Sequence, residues 1–231
     1  MEKEYLVELS IIREENVEFR VLTVSREFGS GGGRIAKIIA DRLGWKLLDR
    51  DLIAAIANAA HVDSHEVSHY DERLDPWLRQ INRDVIRSVA LAAGWMPEGS
   101  NSFNLEVMTQ LTRRIIEDAY SGGNCVIVGR GAQCILKKEP DVFHVFVYAP
   151  FCDRVNRLKE RLEPGANIEQ RIHTVDEERA RYLQQRFGQN WHNPHLYDLM
   201  ISSQENEDST ARVILYAMTG RELPPSLSPR K

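Results

Sequence analysis

Apolar residues follow two patterns along this chain. Short, nearly unbroken apolar runs occur at 20–25, at 45–49, in NCVIVGRGA from Asn124, in VFHVFVYA from Val142, and at 197–202. Runs of that length read as strands, and the lack of polar alternation suits a parallel sheet covered on both faces. Other segments repeat at helical spacing. Ile35, Ile38, Ile39 and Leu43 make one stripe, which Gly44 ends. Asp75-Pro76 is a cap followed by a first-turn proline, and Leu78, Ile81, Val85, Val89 and Ala93 follow as a second stripe. Residues 94–104 break the pattern. Leu105, Met108, Leu111, Ile115 and Ala119 resume it, and Gly122-Gly123 stops it. Residues 160–186 are charged, arginine-rich and helical, and 209–218 form a closing helix. YLVELSII near the start reads equally as strand or helix. Strands alternating with helices predict a three-layer α/β fold with a parallel central sheet.

Length and composition narrow the picture. A chain of 231 residues can be one large domain with its own core. The net charge of −4 argues against a general nucleic-acid surface. Cys125, Cys134 and Cys152 lack CxxC spacing, so neither zinc nor a disulfide framework is implied. No apolar run is long enough for a bilayer, and the first residues lack a signal-peptide pattern. These features give the expectation of a cytoplasmic protein without a membrane partner. The long stretch 51–120 carries stripes that either build a homodimer face or cover the sheet.

Candidate chemistry begins with VLTVSREFGSGGGRIAKIIADRLG, residues 21–44. A strand, a glycine-rich turn and a helix put free backbone N–H groups at a helix N-terminus, where the dipole favours an anion. Ser25, Arg26, Gly29, Ser30, Gly31, Gly32, Gly33 and Arg34 are the candidate phosphate-binding residues. A plain structural turn would use glycine too. Placement favours phosphate: a second turn, Gly129-Arg130-Gly131, follows another strand, and the arginine-rich segment follows a third. Ligands of open α/β sheets sit at the carboxyl ends of strands.

The segments SREFGSGG, LLDRDLI, VIVGRGA, VDEERARYLQQRFG and YDLMIS occur in an order and spacing that resembles the cytidylate kinase-like family, relatives of the nucleoside monophosphate kinases. The resemblance runs from about residue 21 to about residue 219. It implies a three-layer P-loop NTPase fold in one domain. Its core would be 19–56, 121–150 and 193–220, with a helical acceptor-side insertion at 57–120, an arginine-rich lid at 151–192 and a mobile tail at 221–231. It also implies ATP and Mg2+ as cofactors and a small nucleotide as substrate. Laid against the family loop, Gly32 stands where the phosphate-binding lysine would be. Arg34 stands at the magnesium-side threonine, and Arg26 at the first glycine. Arg26 or Arg34 can supply the missing charge, since guanidinium forks onto phosphate oxygens; Arg34 can equally point to solvent.

The resemblance also implies an acceptor site. Arg130 matches an arginine that helps hold the acceptor, and Gly131 stands where that family carries aspartate. Asp176 and Arg179, three apart on one helix face, match a pair that grips the acceptor nucleotide, although an ordinary intrahelical salt bridge has the same spacing. Asp49 and Arg50 match the turn that opens the acceptor region; Asp49 can hold magnesium through water or cap the next helix. Arg34, Arg130 and Arg179 are the candidate catalytic residues, because phosphoryl transfer needs positioning and charge neutralisation more than covalent chemistry. The other arginines of 151–192 can pair with the interspersed Asp153, Glu160, Glu169, Glu177 and Glu178. His61, His65 and His69 share a helical face but lack cysteine companions, so no metal-binding side chain is assigned. Trp191 reads as a packing anchor.

Three functions fit these residues. The first is transfer of the γ-phosphate of ATP to a nucleoside monophosphate, cytidylate-like, or to a related small acceptor. The second is a catalytically silent nucleotide sensor. The third is a kinase of a non-nucleotide small molecule, which the glycine at 131 keeps open.

Overall fold

The computed structural model describes residues 19–49, 105–163 and 166–220. Strands β1 (Val21–Arg26), β2 (Lys46–Leu48), β3 (Cys125–Val128), β4 (Val142–Tyr148) and β5 (Leu199–Ser202) lie in the order β2-β3-β1-β4-β5. Every pairing is parallel. β1 sits at the centre, with Val21 opposite both Cys125 of β3 and Val142 of β4.

The period-two geometry of each strand sends alternate side chains to opposite faces. Leu22, Val24, Val126, Val128, Val145 and Val147 pack on one face. There they meet Ile35, Ala36 and Ile39 of α1 (Gly32–Leu43) and Ile214 and Leu215 of α6 (Glu207–Thr219). Val21, Cys125, Ile127 and Val142 face the other way, against Ile115 and Ile116 of α2 (Leu105–Gly122) and Ala132 of α3 (Ala132–Ile135). Phe146 meets Trp191, Leu196 and Leu183, the last from α5 (Ile168–Phe187). A central sheet covered on both sides explains why the strands read as continuous apolar runs. Trp191 is a packing residue as expected, 5.3 Å edge-on from Phe146.

The boundaries differ from the sequence reading for local reasons. β1 reaches Arg26 because that residue still pairs with Val147. The arginine-rich segment is two helices: α4 (Phe151–Lys159), already helical before residue 160, and α5. Asn167 restarts the helix, its side chain accepting from the Gln170 N–H at 3.1 Å. Asn206 does the same for α6 through Ser209 at 2.6 Å, so that helix begins at Glu207. Both asparagines precede an acidic first turn, a start signal present in the sequence.

The 1–18 segment, the Asp75-Pro76 helix with its stripe, the histidines 61, 65 and 69, Arg50 and the 221–231 tail lie outside the described residues. Among the described residues no helix is long and apolar enough to cross a membrane. The three cysteines are free, and burial pushes the Cys125 and Cys134 thiols up to about 11.

Candidate functional site

Between the end of β1 and the start of α1 the chain must reverse towards the sheet edge. Gly29 and Gly31 do this in the left-handed region, at φ 82° and 81°. Their neighbours require glycine as well. A Cβ on Gly29 would stand 2.9 Å from Leu158 Cδ1, and one on Gly31 2.7 Å from Glu207 Oε1. Ser30, fully buried, closes the turn by donating its hydroxyl to the Glu27 carbonyl at 2.9 Å.

Arginines hold the outer side of this loop. Arg179 Nη1 donates to the Arg26 carbonyl at 2.8 Å, Arg154 Nε to that of Phe28 at 2.9 Å, and Arg157 Nη1 to that of Ser30 at 2.9 Å. Ser203 Oγ also donates to the Ser30 carbonyl, at 2.5 Å. The Phe28 amide is used by Asp176 Oδ1 at 2.8 Å, and that of Glu27 by the Val147 carbonyl at 3.0 Å. With alternate carbonyls tied down outside, the N–H groups of Gly29, Gly31, Gly32, Gly33 and Arg34 have no protein acceptor among the described residues. Successive free amides at a helix N-terminus make an anion-binding cup, reinforced by the helix dipole.

The cup is fixed electrostatically. Arg154, only 6% exposed, pairs with Glu27 at 2.9 Å and with Asp176. Arg179 lies 3.7 Å from Asp176 Oδ1 and 5.8 Å over the Phe28 ring. Burial pulls the Arg179 guanidinium down to about 10, Asp176 opposing and Arg154 adding to the fall. Asp176 and Arg179, expected to grip an acceptor, thus grip the loop backbone here. Asp153, Glu160, Glu169, Glu177 and Glu178 make no ion pair with Arg154, Arg157 or Arg179 among the described residues; the partners of Arg154 are Glu27 and Asp176, and that of Arg179 is Asp176.

The other expected residues are dispersed. Arg34 Nε pairs with Glu207 at 3.0 Å, its side chain 65% exposed towards α6. Ser25 is buried and shares a hydrogen bond with Tyr197. Arg26 runs beside Gly32, where a Cβ would lie 2.5 Å from Arg26 Cβ. Arg130 has a positive φ of 58°, is half-buried, and has no carboxylate at ion-pair distance among the described residues. Burial lowers its guanidinium below the usual arginine range. Beside it, a Cβ on Gly131 would run into the Phe187 ring, which fills the place of an acidic side chain. Asp49 follows β2, and β3 intervenes between β2 and β1. It therefore stands about 10 Å across the sheet from the loop strand.

The roles of Arg154 and Arg157 went unassigned by the sequence. Their i, i+3 spacing puts both on one face of α4, next to the buried Val155 and Leu158. Glu27, Ser203, Glu207 and Phe187 carried no signal, because each acts through a distant segment.

Among the described residues no magnesium site is built: an arginine stands at 34, Ser30 is buried with its hydroxyl donated to the Glu27 carbonyl, and no group of three His, Cys, Asp or Glu could hold a metal.

A model of the cytidylate kinase-like family matches residues 21–205, most of the chain and all of the loop, both glycine turns and α5. The chain belongs to the cytidylate kinase-like family. Cytidylate kinase of Colwellia psychrerythraea is 40% identical over 52 residues, 22% of this chain and 23% of that enzyme. The match therefore spans under a quarter of the curated relative's length. Among solved structures, an uncharacterized protein from Eubacterium ventriosum superposes with a TM-score of 0.61 at 19% identity, covering 87% of this chain and 99% of that one. Shikimate kinase from Acinetobacter baumannii in complex with shikimate gives 0.47 at 16% identity, over 89% and 96%. The five-stranded parallel sheet with helices on both faces is a fold shared with the Eubacterium ventriosum protein, and membership of the cytidylate kinase-like family makes it the P-loop kinase type.

Proposed function

We propose that this chain is an ATP-dependent phosphotransferase that moves the γ-phosphate to a nucleoside monophosphate, cytidylate-like, or to a related small phosphate-bearing acceptor. One observation carries the reading: five neighbouring amides, from Gly29 to Arg34, open into one cup while arginines fix the carbonyls behind them. A preorganised cup costs no reorganisation when the phosphate arrives. Family membership supports the reaction class.

The cup takes the triphosphate tail. Magnesium would be brought by the nucleotide, because no side chain at 34 can ligate it. Arg130, with no carboxylate at ion-pair distance among the described residues, is the acceptor-side anion ligand. Arg179 and Asp176 hold the loop in register with that acceptor. Arg34 acts on phosphate only by leaving Glu207. By the family resemblance Asp49 and Arg50 are assigned to acceptor binding, and the location is cytoplasmic.

The absent lysine favours a second reading, a nucleotide sensor without turnover. One assay separates the two. Purified protein is given ATP, magnesium and a panel of nucleoside monophosphates, and ADP is followed. Acceptor-dependent ADP formation that falls at least about a hundredfold in Arg130→Ala is the expected result. Saturable ATP binding with no acceptor-dependent turnover would replace the kinase by the sensor.

A further inference from the structure

Gly32 opens α1 and is buried, and Arg26 blocks any side chain there. A Cβ on Gly32 would sit 2.5 Å from Arg26 Cβ, 3.0 Å from Arg26 Cγ and 3.5 Å from Val147 Cβ. The other end of the same arginine lies against the next strand. A Cβ on Gly129, at φ 77°, would run into Arg26 Nη1. Arg26 therefore spans from the first residue of α1 to the turn after β3. That path crosses the carboxyl ends of β1 and β3, which are paired through Val24 and Val128. The turn after β1 leads to one face of the sheet and the turn after β3 to the other, which makes this the switch-point crevice where ligands of open sheets bind. The backbone of Arg26 is fixed by Arg179 through its carbonyl.

We propose that Arg26 supplies the cation of the triphosphate site, and that positions 26 and 32 share one seat that holds a single charged side chain. The residue that usually carries this charge would root at 32; here the root is 26 and the head reaches the same crevice from the strand side. The glycines at 32 and 129 are the space Arg26 occupies at its two ends. A guanidinium placed so contacts the terminal phosphate of a chain whose inner phosphates lie in the amide cup. This rests on the triphosphate reading above.

The test is calorimetric titration of magnesium-ATP and magnesium-ADP into wild type, Arg26→Gln, Gly32→Lys and the double variant Arg26→Gly/Gly32→Lys, with a thermal melt of each. Wild type is expected to prefer ATP. Arg26→Gln, which keeps most of the volume, is expected to weaken ATP by about tenfold or more and ADP by less than about threefold, so the preference collapses. Gly32→Lys alone is expected to lose ATP binding or to melt early, and the double variant to regain both fold and ATP preference. A folded Arg26→Gln that keeps the wild-type ATP-over-ADP ratio overturns the proposal. So does a double variant that melts like wild type yet shows no preference. Wild type that binds neither nucleotide removes the triphosphate reading itself, a failure visible before any substitution.

Discussion

The turn after β1 and the turn after β3 leave neighbouring strands at the same edge of the sheet, and both use left-handed glycines. In the first, Gly29 and Gly31 curve the backbone until five amides open inward, and arginines hold the carbonyls outside. In the second, Gly129 and Gly131 make room for side chains from elsewhere, Arg26 over one and Phe187 over the other. Glycine richness in the first turn thus concerns what the backbone presents. In the second it concerns what the neighbours occupy. At 131, where the family resemblance leads to the expectation of an aspartate, an aromatic ring from the end of α5 occupies the space a side chain would take. The first turn is shaped by the backbone it presents, whereas the second is shaped by the side chains around it.

The largest expected effect lies behind the first turn. Arg154→Leu leaves Glu27, 18% exposed, without its cation, leaves Asp176, 17% exposed, with only the longer Arg179 pair, and frees the Phe28 carbonyl. Breaking such a pair from one side should cost about 3–5 kcal/mol in urea unfolding. A loss below about 1 kcal/mol would mean that the loop holds its shape without the clamp. The second turn should respond less and differently. Gly131→Ala meets both φ 72° and the Phe187 ring, for about 1–3 kcal/mol. In a Phe187→Ala background part of that cost should vanish, with a coupling of about 0.5–3 kcal/mol; strict additivity would contradict the neighbour-space reading. The smallest effect belongs to Arg34→Ala, which keeps the loop amide and loses an exposed pair with Glu207. Stability should move by no more than about 0.5 kcal/mol and ATP affinity by less than about threefold. A tenfold loss of ATP affinity would put the Arg34 side chain on phosphate after all.

Much of this architecture was readable before any coordinates. Val21 to Val24, Cys125 to Val128 and Val142 to Val147 are apolar runs broken only by Thr23 and His144, because two layers of helix cover them, and that pattern is local. The glycine loop was readable because positive φ leaves a residue-type signature. The work of its flanks was not. Asp176 is paired in space with Phe28, 148 positions away, and Arg157 with Ser30, 127 away. Spacing within a helix could show only that Asp176 and Arg179 share a face; it could not show that the face meets the loop. Arg34 illustrates the opposite case. Its place in the motif suggested phosphate, and the acidic first turn of α6 draws it outward.

Backbone amide NMR during titration with magnesium-ATP tests the central claim most directly, because the claim concerns particular N–H groups. The account predicts saturable shifts concentrated at Gly29, Gly31, Gly32, Gly33 and Arg34, with Phe28 moving little because its amide stays on Asp176. Saturable binding that moves other resonances and leaves those five still would contradict it.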